Sequence, residues 1–507
     1  MSAHLSPAKN DAPVRSEECS AWRHGLLIFM AAALLHAAGT WILPITDRDE
    51  ARFAEASREM RQRGDWVVPT LNNQPRYDKP PLIYWTQIAA YSLLGENGFA
   101  ARLPSVLAAA LTAVAVYGFG RRMNGARTGL WAAIFFTTSL QVIVNSKMST
   151  ADPLMILFFT TSAWVAWELG RPKSDASTLD HRWRWMLAGS LGLAFLAKGP
   201  IGWLPVLFPI LAAMWMRESI PWRRLQLHWA LLAALGLVAL WGVPALVKTN
   251  GDFWSVGIGK HVIQRSVSAM EGHGGSRWIT YLASLPFYLL TIFISFFPWS
   301  LRLPWLFGEL RTRRSSLGYD ERFLITGIAV VFAVFTLVRT KLPHYTLPAF
   351  PLLCLLLSRA LVNSGGISVG VRRWAIGMAA FGLVASLVGF SLAKPQFPSA
   401  ELLKGCKPWL RPEMEMASAN YNEPSLCWQF RSTLKSFVEY GDEKALPAFM
   451  SRSGARLCIL PTSKVDETFA TIPESWRRVR VKGFNLANGK PVDLTALIQP
   501  AAAESTR

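Results

Sequence analysis

The chain has 507 residues, of which 51% are hydrophobic and 17% are charged, and its formal net charge is +20. This balance excludes an ordinary soluble protein, because such a composition would expose too much apolar surface to water. No soluble module rich in lysine and arginine and no base-stacking motif accompanies the charge, so we expect no nucleic-acid partner.

The first predicted element is a polar, basic tail over residues 1–23, and long apolar segments follow it. About 20 apolar residues are needed to cross a bilayer as a helix. We therefore predict an all-α polytopic membrane domain over residues 24–393, with about 11 to 13 transmembrane helices. The candidate spans in the sequence are 24–44, 103–120, 128–146, 153–170, 184–198, 200–216, 228–247, 286–308, 322–339, 343–362 and 373–393.

Arginine-bearing loops predict the orientation of these spans. With a cytoplasmic N-terminus, the inner loops include GRRMNGAR, RESIPWRRLQ and ELRTRRSSLGYDER, as the positive-inside rule requires. The first large loop, 45–102, and a second large loop, 248–285, then lie on the outer side. The C-terminal region lies there with them.

The C-terminal region, residues 395–507, has no apolar run long enough to span a bilayer. Strand-like segments such as RLCILP and RRVRVKGF predict a small soluble domain of α/β or α+β type. Three of the five cysteines, Cys406, Cys427 and Cys458, fall here. An extracytoplasmic domain would leave room for one disulfide among them.

The first outer loop begins with TDRDEARFAEASREM, Thr46 to Met60. Asp47 or Asp49 suits the N-cap of a helix, and the acids behind them suit its positive end. Phe53 and Met60 contribute to a weak apolar stripe, so we expect this helix to lie in the membrane interface.

The same loop continues with PRYDKPPLIYW. Two prolines force Lys79 out of the helical region and begin a helix behind it. Asp78 and Lys79 are thus predicted at a helix N-terminus, where free N–H groups favour an anion. The ordinary alternative is a surface ion pair between these two residues.

Charged residues recur at the outer ends of the other predicted spans. Each has an ordinary explanation, such as an N-cap or a lysine that snorkels. Placing so many charged groups against apolar surface costs free energy unless they pair with other groups or take part in function. The residues concerned are Asp152, Lys198, Lys260, His261, Lys341 and Tyr345. We expect an outer cavity rich in positive charge that takes an anionic, lipid-borne ligand.

The order of these motifs resembles a known family. DEAR, DKPPLIYW, an Asp-Pro at an outer helix end, AKGP, a Lys-His pair and TKLPHYTLP are similar to motifs of the bacterial lipid A 4-amino-4-deoxy-L-arabinose transferases. That family is related to the protein O-mannosyltransferases. The resemblance covers residue 24 to about residue 393 and implies a GT-C fold in the bacterial inner membrane, with the active site facing the periplasm. The family usually has 13 spans, two more than the sequence displays.

The resemblance also implies roles for residues. Asp49 matches the catalytic acid of the first loop, and Asp152 is a second residue of the catalytic cavity. Asp78 and His261 match the ligands of a divalent metal, although the family usually has Glu where this chain has Asp78. Zinc accepts such a mixed ligand pair best. The residues implied in binding phosphate or substrate are Arg52, Lys79, Lys198, Lys260, Lys341 and Tyr345.

The implied reaction moves a sugar, such as 4-amino-4-deoxy-L-arabinose or a related amino sugar, from undecaprenyl phosphate to a lipid A phosphate. The partners expected are this donor, lipid A or another anionic lipid acceptor, and membrane lipids; no organic cofactor is expected. One alternative keeps the class but transfers the sugar to Ser or Thr of a protein. A lipid flippase is another, but it predicts charges near the bilayer midplane rather than at outer helix ends.

Overall fold

The computed structural model describes residues 12–172, 181–264, 278–486 and 488–500, with backbone alone for 12–20, 258, 260–264 and 278. Helices dominate the chain as far as residue 393. The first eight are α1 (Ala12–Ala37), α2 (Asp49–Arg63), α3 (Leu82–Leu94), α4 (Gly98–Asn124), α5 (Ala126–Thr137), α6 (Leu140–Ser146), α7 (Asp152–Gly170) and α8 (His181–Lys198).

The second half of the membrane domain continues the helical pattern. It contains α9 (Leu207–Met216), α10 (Trp222–Leu225), α11 (Leu227–Lys248), the π-helical α12 (Phe253–Gln264), α13 (Trp278–Ser284), α14 (Phe287–Ser295), α15 (Leu303–Thr312), α16 (Tyr319–Leu337), α17 (Phe350–Asn363), α18 (Val369–Val384) and α19 (Phe390–Ala393). Short 3₁₀ turns precede α9, α15 and α17.

Five of the described helical segments are long and apolar enough to cross a membrane by length and composition. Two further candidates are bent pairs, α5 with α6 at 66° and α13–α14 with α15 at 109°. The predicted all-α membrane domain is confirmed. Hydropathy predicted 11 spans, and fewer segments than this meet the length and composition criterion. One reason is that bends interrupt apolar runs. The five straight candidates are Gly98–Asn124, Asp152–Gly170, Trp222–Lys248, Pro343–Asn363 and Val369–Gln396.

The charged ends of these helices separate into two groups, as the loop arginines predict. At one end Glu168, buried at the end of α7, pairs with Arg122 over 3.3 Å and with Arg171 over 3.1 Å. Arg359 pairs there with Asp320 over 3.0 Å. The segments predicted to be outer loops meet one another at the opposite ends of the same helices.

The C-terminal region folds as a small α/β domain, which confirms the predicted class. Its five-stranded sheet has the order β4-β3-β5-β7-β6, with β3, β4 and β5 parallel and β7 antiparallel to both β5 and β6. Four helices cover it: α20 (Pro398–Cys406), α21 (Pro424–Phe430), α22 (Leu446–Met450) and α23 (Val465–Thr468). The strands are β3 (Glu415–Ala419), β4 (Val438–Gly441), β5 (Arg456–Pro461), β6 (Arg477–Asn485) and β7 (Lys490–Gln499); β1 (Thr70–Leu71) and β2 (Gln74–Pro75) form a hairpin in the first loop.

Helix α2 does not lie in the membrane interface, and this expectation was wrong. Phe53 and Met60 are buried inside the protein, as is every residue between them. Its N-cap position is Arg48, without a side-chain cap. Glu50 instead reaches back to accept from the N–H and the hydroxyl of Thr46 over 2.8 and 2.9 Å.

The disulfide for which the sequence left room in the C-terminal domain is not formed. Cys406, Cys427 and Cys458 are all free and buried. Cys406 and Cys427 belong to one apolar cluster of the domain and Cys458 to another. These thiols therefore act as small core side chains.

Candidate active site

A buried ion pair holds the beginning of α2. Arg102 of α4 donates to both carboxylate oxygens of Glu50, over 2.6 and 2.8 Å, and Ser149 N–H donates to the same carboxylate over 2.9 Å. Burial alone would raise the pKa of Glu50, but Arg102 lowers this pKa below its ordinary value. Glu50 therefore stays ionised and fixes the point where Asp49 begins the helix.

Asp49 faces away from this buried pair. Its side chain is 61% exposed and contacts Arg52 Nη1 at 3.3 Å. The structure thus brings these two predicted site residues together on adjacent turns of α2. An exposed carboxylate with one long ion pair is available to orient an acceptor or to take a proton.

Arg76 connects Asp49 to the Lys-Pro-Pro segment. Its guanidinium pairs with Asp78 over 3.0 Å and donates from Nε to the Tyr84 hydroxyl over 3.2 Å. It also stands over the Phe53 ring, 5.3 Å from the centroid. Asp49 acts on the same guanidinium electrostatically. Arg76 therefore places two predicted carboxylates around one buried cation.

A second charged group forms where α7, α8 and the segment before α17 meet. Asp152, the first residue of α7, pairs with Lys198 at the end of α8. The Lys198 ammonium lies 5.3 Å from the centroid of the Tyr345 ring. Lys79 and His344 act on Asp152 electrostatically. Three predicted residues from distant parts of the chain are thus joined, and His344, which the motifs left without a role, is beside them.

One cavity of about 570 Å³ is lined by members of both groups, Asp78 from the first and Lys198 with Tyr345 from the second. Its charged and hydroxyl-bearing lining comes from Tyr77, Asp78, Lys79, Lys198 and Tyr345. Most of its remaining wall is apolar and includes Leu235, Val238, Val243, Leu246, Val334 and Val338. Ammonium groups beside a long apolar wall suit an amphiphile with an anionic head and a hydrocarbon tail.

Lys341 makes contacts of a different kind. Its ammonium donates to the carbonyls of Phe335 (3.1 Å), Thr336 and Val338 (2.6 Å) at the end of α16. It also lies 5.6 Å from the centroid of the Tyr288 ring. A lysine has three N–H donors, so these carbonyls occupy all of them. In this arrangement Lys341 caps a helix, and its predicted binding of phosphate stays a prediction that the geometry does not favour.

Lys260 and His261 lie on α12, but their side chains are outside the described residues. The metal prediction therefore stays open on its histidine side. On the other side, the Asp78 carboxylate is engaged with Arg76. Among the described residues, the three potential ligands that come together are Glu55, Glu59 and Cys427, and arginines already neutralise this group. A metal bound at Asp78 would therefore share this carboxylate with Arg76, whose contact is to one oxygen, Oδ2.

Glu50, Arg102 and Arg76 are not among the site residues predicted from the sequence. Glu50 lies in the DEAR motif, but the motif predicted a helix cap only at the neighbouring aspartates. A signal was present: a glutamate four residues after Thr46 can accept from the Thr46 N–H and hydroxyl. Arg102 and Arg76 carried no local signal, because their partners lie across the tertiary fold.

Comparison with known proteins gives a consistent family. Residues 23–255 match the family model described as dolichyl-phosphate-mannose-protein mannosyltransferase. An undecaprenyl phosphate-α-4-amino-4-deoxy-L-arabinose arabinosyl transferase of Pseudomonas aeruginosa (strain LESB58) is 30% identical over 368 residues, 71% of this chain and 63% of the relative. The protein of the same description from Edwardsiella ictaluri is 30% identical over 63% of this chain and 56% of its own length. The chain thus spans less than two thirds of the length of these relatives.

Two solved structures are similar to the whole chain. ArnT from Cupriavidus metallidurans, bound to undecaprenyl phosphate, superposes with a TM-score of 0.77 at 19% identity and covers 94% of this chain and 98% of its own. The same protein in the apo state gives 0.75 and covers 96% and 99%. At this identity the likeness establishes the fold, which confirms the predicted GT-C architecture with its small C-terminal domain.

Proposed function

Because this chain belongs to the family of the bacterial 4-amino-4-deoxy-L-arabinose transferases, we propose that it is a glycosyltransferase that moves this sugar, or a related amino sugar, from undecaprenyl phosphate to a lipid A phosphate. The observation that carries the proposal is the cavity that combines Lys79 and Lys198 with a long apolar wall. The membrane is the bacterial inner membrane, and the cavity faces the periplasm. The arginine-bearing loops at the opposite helix ends support this orientation.

The polyprenyl chain lies along the apolar wall contributed by α11 and α16. Leu235 and Val243 of α11 line the cavity and are also 47% and 55% exposed, so the wall is continuous with an apolar outer surface. A lipid can enter sideways from the bilayer without exposing its tail to water. The donor phosphate then lies by the ammonium groups of Lys79 and Lys198.

Transfer breaks the bond between C1 of the sugar and the carrier phosphate oxygen and forms a bond from C1 to an oxygen of the acceptor phosphate. The carrier phosphodiester becomes a monoester and gains negative charge, while the acceptor monoester becomes a diester. Lys79 and Lys198 stabilise the growing charge on the leaving phosphate. The acceptor is already anionic and needs little deprotonation, so Asp49 orients it and stabilises positive charge on the ring.

The direct test is transfer by the purified protein in lipid vesicles, from undecaprenyl-phosphate-linked 4-amino-4-deoxy-L-arabinose to lipid A, read by mass spectrometry. A sugar-sized increment on the lipid A phosphate supports the proposal. Unmodified lipid A together with glycosylation of a Ser/Thr peptide would instead select the protein-acceptor alternative.

Asp49→Asn keeps the size of the side chain and removes its charge. We expect a loss of about 10²–10⁴ in kcat with the fold retained. Asp65→Asn, also in the first loop, is the matched control and should keep near wild-type kcat. A wild-type rate for Asp49→Asn would remove this residue from the mechanism.

We propose separately that a divalent metal binds Asp78 and His261, and that this metal is zinc, because zinc accepts a mixed carboxylate and imidazole ligand set. Bound at the carrier phosphate, it would supply further charge neutralisation. Metal analysis of the purified protein should find about one equivalent in the wild type and less in His261→Ala. A metal-free wild type with full transfer activity would end this proposal.

A further inference from the structure

The hairpin formed by β6 and β7 ends in apolar side chains that the protein does not cover. Phe484 is 39% exposed and Leu486 is 48% exposed, whereas Asn485 between them is buried. Since side chains alternate along a strand, the two apolar side chains lie on one outward face. The two strands pair as far as Asn485 with Lys490. We call Phe484, Leu486 and Lys490 the hairpin end.

The hairpin end lies close to the outer end of the last candidate span, Val369–Gln396. The chain passes from this span into α20 within two residues. Gly483 packs against this junction, because a Cβ added there would stand 2.8 Å from the carbonyl oxygen of Gln396 and 3.0 Å from Cδ of Pro398. Close approach of another segment is a common reason for a glycine within a strand. The end of β6 is therefore fixed at the place where the chain leaves the membrane.

Helix α20 and strand β6 run in opposite directions, which determines where the hairpin end points. At the far end of the helix, a Cβ added at Gly405 would stand 2.6 Å from Cγ1 of Val479. α20 thus leads away from the junction, and β6 leads back to it. Leu486 follows Gly483 by three residues, which is about 10 Å of extended chain. The hairpin end therefore projects past the junction, along the outer end of the last span.

A second set of contacts places the same hairpin beside the first apolar segment. Asn485 donates to Glu423 over 2.9 Å. Two residues further on, the Ser425 N–H donates to Asp47 over 3.1 Å. Asp47 follows Pro44, the last residue of the first apolar segment, by three residues. The hairpin end is thus connected to the outer ends of both the first and the last apolar segment, at the level of the bilayer surface.

The charge of the hairpin suits an anionic membrane surface. Strands β6 and β7 carry five cations and one anion, which leaves a net charge of +4. These residues are Arg477, Arg478, Arg480, Lys482, Lys490 and Asp493. Lys394 adds an exposed cation in the last turn of the last span. Apolar side chains flanked by basic ones bind a bilayer surface by burying apolar area and by attraction to anionic lipid.

We propose that the hairpin end inserts into the outer headgroup layer of the membrane and binds anionic phospholipid there. Phe484 and Leu486 enter the boundary between headgroups and acyl chains. Lys482, Lys490 and Lys394 contact the lipid phosphates. The bilayer thereby holds the C-terminal domain at a point separate from its chain connection to the last span and from its docking on α2. The lipid concerned belongs to the surrounding bilayer, so the inference does not depend on the donor or the acceptor of the proposed reaction.

Spin labels measure the depth of the hairpin end directly. The label is attached to Leu486→Cys in a Cys19→Ser background, because the other four cysteines are buried. The matched control is Ser453→Cys, an exposed position before β5, whose first residue pairs with the last residue of β7. β7 is about 30 Å long, so the control lies at the opposite end of the domain.

Both labelled proteins are studied in nanodiscs of phosphatidylcholine with phosphatidylglycerol. Oxygen concentrates in the bilayer and a nickel chelate stays in water, so the ratio of their collision rates with the label reports depth. We expect this ratio to be several-fold higher for Leu486→Cys than for Ser453→Cys. Equal ratios would overturn the insertion. A Leu486→Cys label shielded from both reagents would indicate contact with another protein and would overturn it as well.

The composition of the bilayer tests the preference for anionic lipid. In nanodiscs of phosphatidylcholine alone, we expect the Leu486→Cys label to lie closer to water than in the mixture. Lys482→Gln combined with Lys490→Gln should have the same effect in the mixture, whereas Lys435→Gln, exposed elsewhere on the domain, should not. Equal depth in both lipids and in all variants would overturn anionic-lipid binding. Neither measurement uses transfer activity, so both results stand whether or not the proposed reaction is found.

Discussion

At the scale of single residues, the site depends on buried side chains that touch no substrate. The Arg102 guanidinium is 1% exposed and donates to the carbonyls of Thr40, Leu43 and Pro44 as well as to Glu50. One side chain thus joins the end of the first span to α2 and α4. Such an ion pair contributes little net energy, but its loss leaves an uncompensated buried charge.

Glu50→Gln should therefore destabilise the protein strongly. The substitution leaves the Arg102 charge buried without a counter-ion, and we expect a cost of about 3–5 kcal/mol. The measurement is the free energy of unfolding, or the apparent Tm, in detergent. Glu96→Gln is the control, because the pair of Glu96 with Arg61 is partly exposed and its loss should cost at most about 1 kcal/mol. Equal effects of the two substitutions would contradict this reading.

Asp47 introduces a pH dependence at the contact between the loop and the C-terminal domain. Burial raises the pKa of Asp47 to about 6. The nearby Glu423 carboxylate also raises this pKa, whereas the hydrogen bond from Ser425 lowers it. The folded state therefore binds a proton that the unfolded state releases near pH 4. The stabilisation is fully present below pH 4 and is lost as the pH rises through 6. The total loss of folding free energy is about 3 kcal/mol.

Asp47→Asn should remove this dependence. Its apparent Tm relative to the wild type should rise from about pH 4 to about pH 6 and level off by about pH 7. Asp65→Asn is the comparison. The Val67 N–H and Lys248 hold the pKa of Asp65 below its ordinary value despite partial burial, so its titration falls at lower pH. A constant difference between Asp47→Asn and the wild type across this range would refute the assignment.

At the scale of elements, two lysines cap the C-terminal ends of helices in the same way. Lys147 donates to the carbonyls of Leu35, His36 and Ala38 after α1, over 2.6, 3.2 and 2.9 Å. Lys341 does the same after α16. The last carbonyls of a helix have no partner within it, and an ammonium satisfies several at once. A lysine near the end of a helix therefore does not by itself indicate a ligand-binding site.

A comparison of Lys341→Met with Lys198→Met distinguishes a lysine that caps a helix from a lysine that binds the carrier phosphate. Lys341→Met should lower the apparent Tm, since it frees buried carbonyls at about 1–3 kcal/mol, with little change in the KM for the carrier sugar. Lys198→Met should raise that KM at least tenfold, because its ammonium lines the cavity. A large rise in KM at unchanged Tm for Lys341→Met would restore its predicted role in phosphate binding.

At the scale of the whole molecule, a charged interface docks the C-terminal domain on α2. Arg431 pairs with Glu55 over 2.6 Å and with Glu59 over 3.3 Å, and all three side chains are buried. Arg58 donates to the Trp428 carbonyl over 2.8 Å and stands over its ring. The helix that begins with Asp49 is thus held between the membrane domain and the C-terminal domain.

Arg431→Ala should loosen this docking. Glu55 and Glu59 lose a shared counter-ion in a buried place, so we expect faster cleavage by proteinase K between the two domains and a lower transfer rate. Arg452→Ala, on an exposed pair of the same domain, should be cleaved at the wild-type rate. Unaltered proteolysis and activity in Arg431→Ala would show that other contacts suffice.

Much of this architecture follows from local patterns. Apolar runs and loop arginines predict a polytopic domain and its orientation, because the bilayer imposes length and charge rules on each segment separately. The Lys-Pro-Pro bend predicts the start of α3 to within two residues. Motif order predicts the family. The buried state of α2 escaped prediction, since an acidic, arginine-rich helix enters a protein interior only when partners from distant segments neutralise it.

The sequence by itself determined that this is a helical membrane protein with a small α/β domain and charged outer helix ends, because hydropathy and charge act within each segment. Only the tertiary structure decided which of those charged side chains face the cavity, which cap the ends of helices and which form ion pairs between the two domains. Lys198 and Lys341 occupy similar helix ends in the sequence. Their tasks differ because one meets Asp152 beside open space and the other meets three carbonyls.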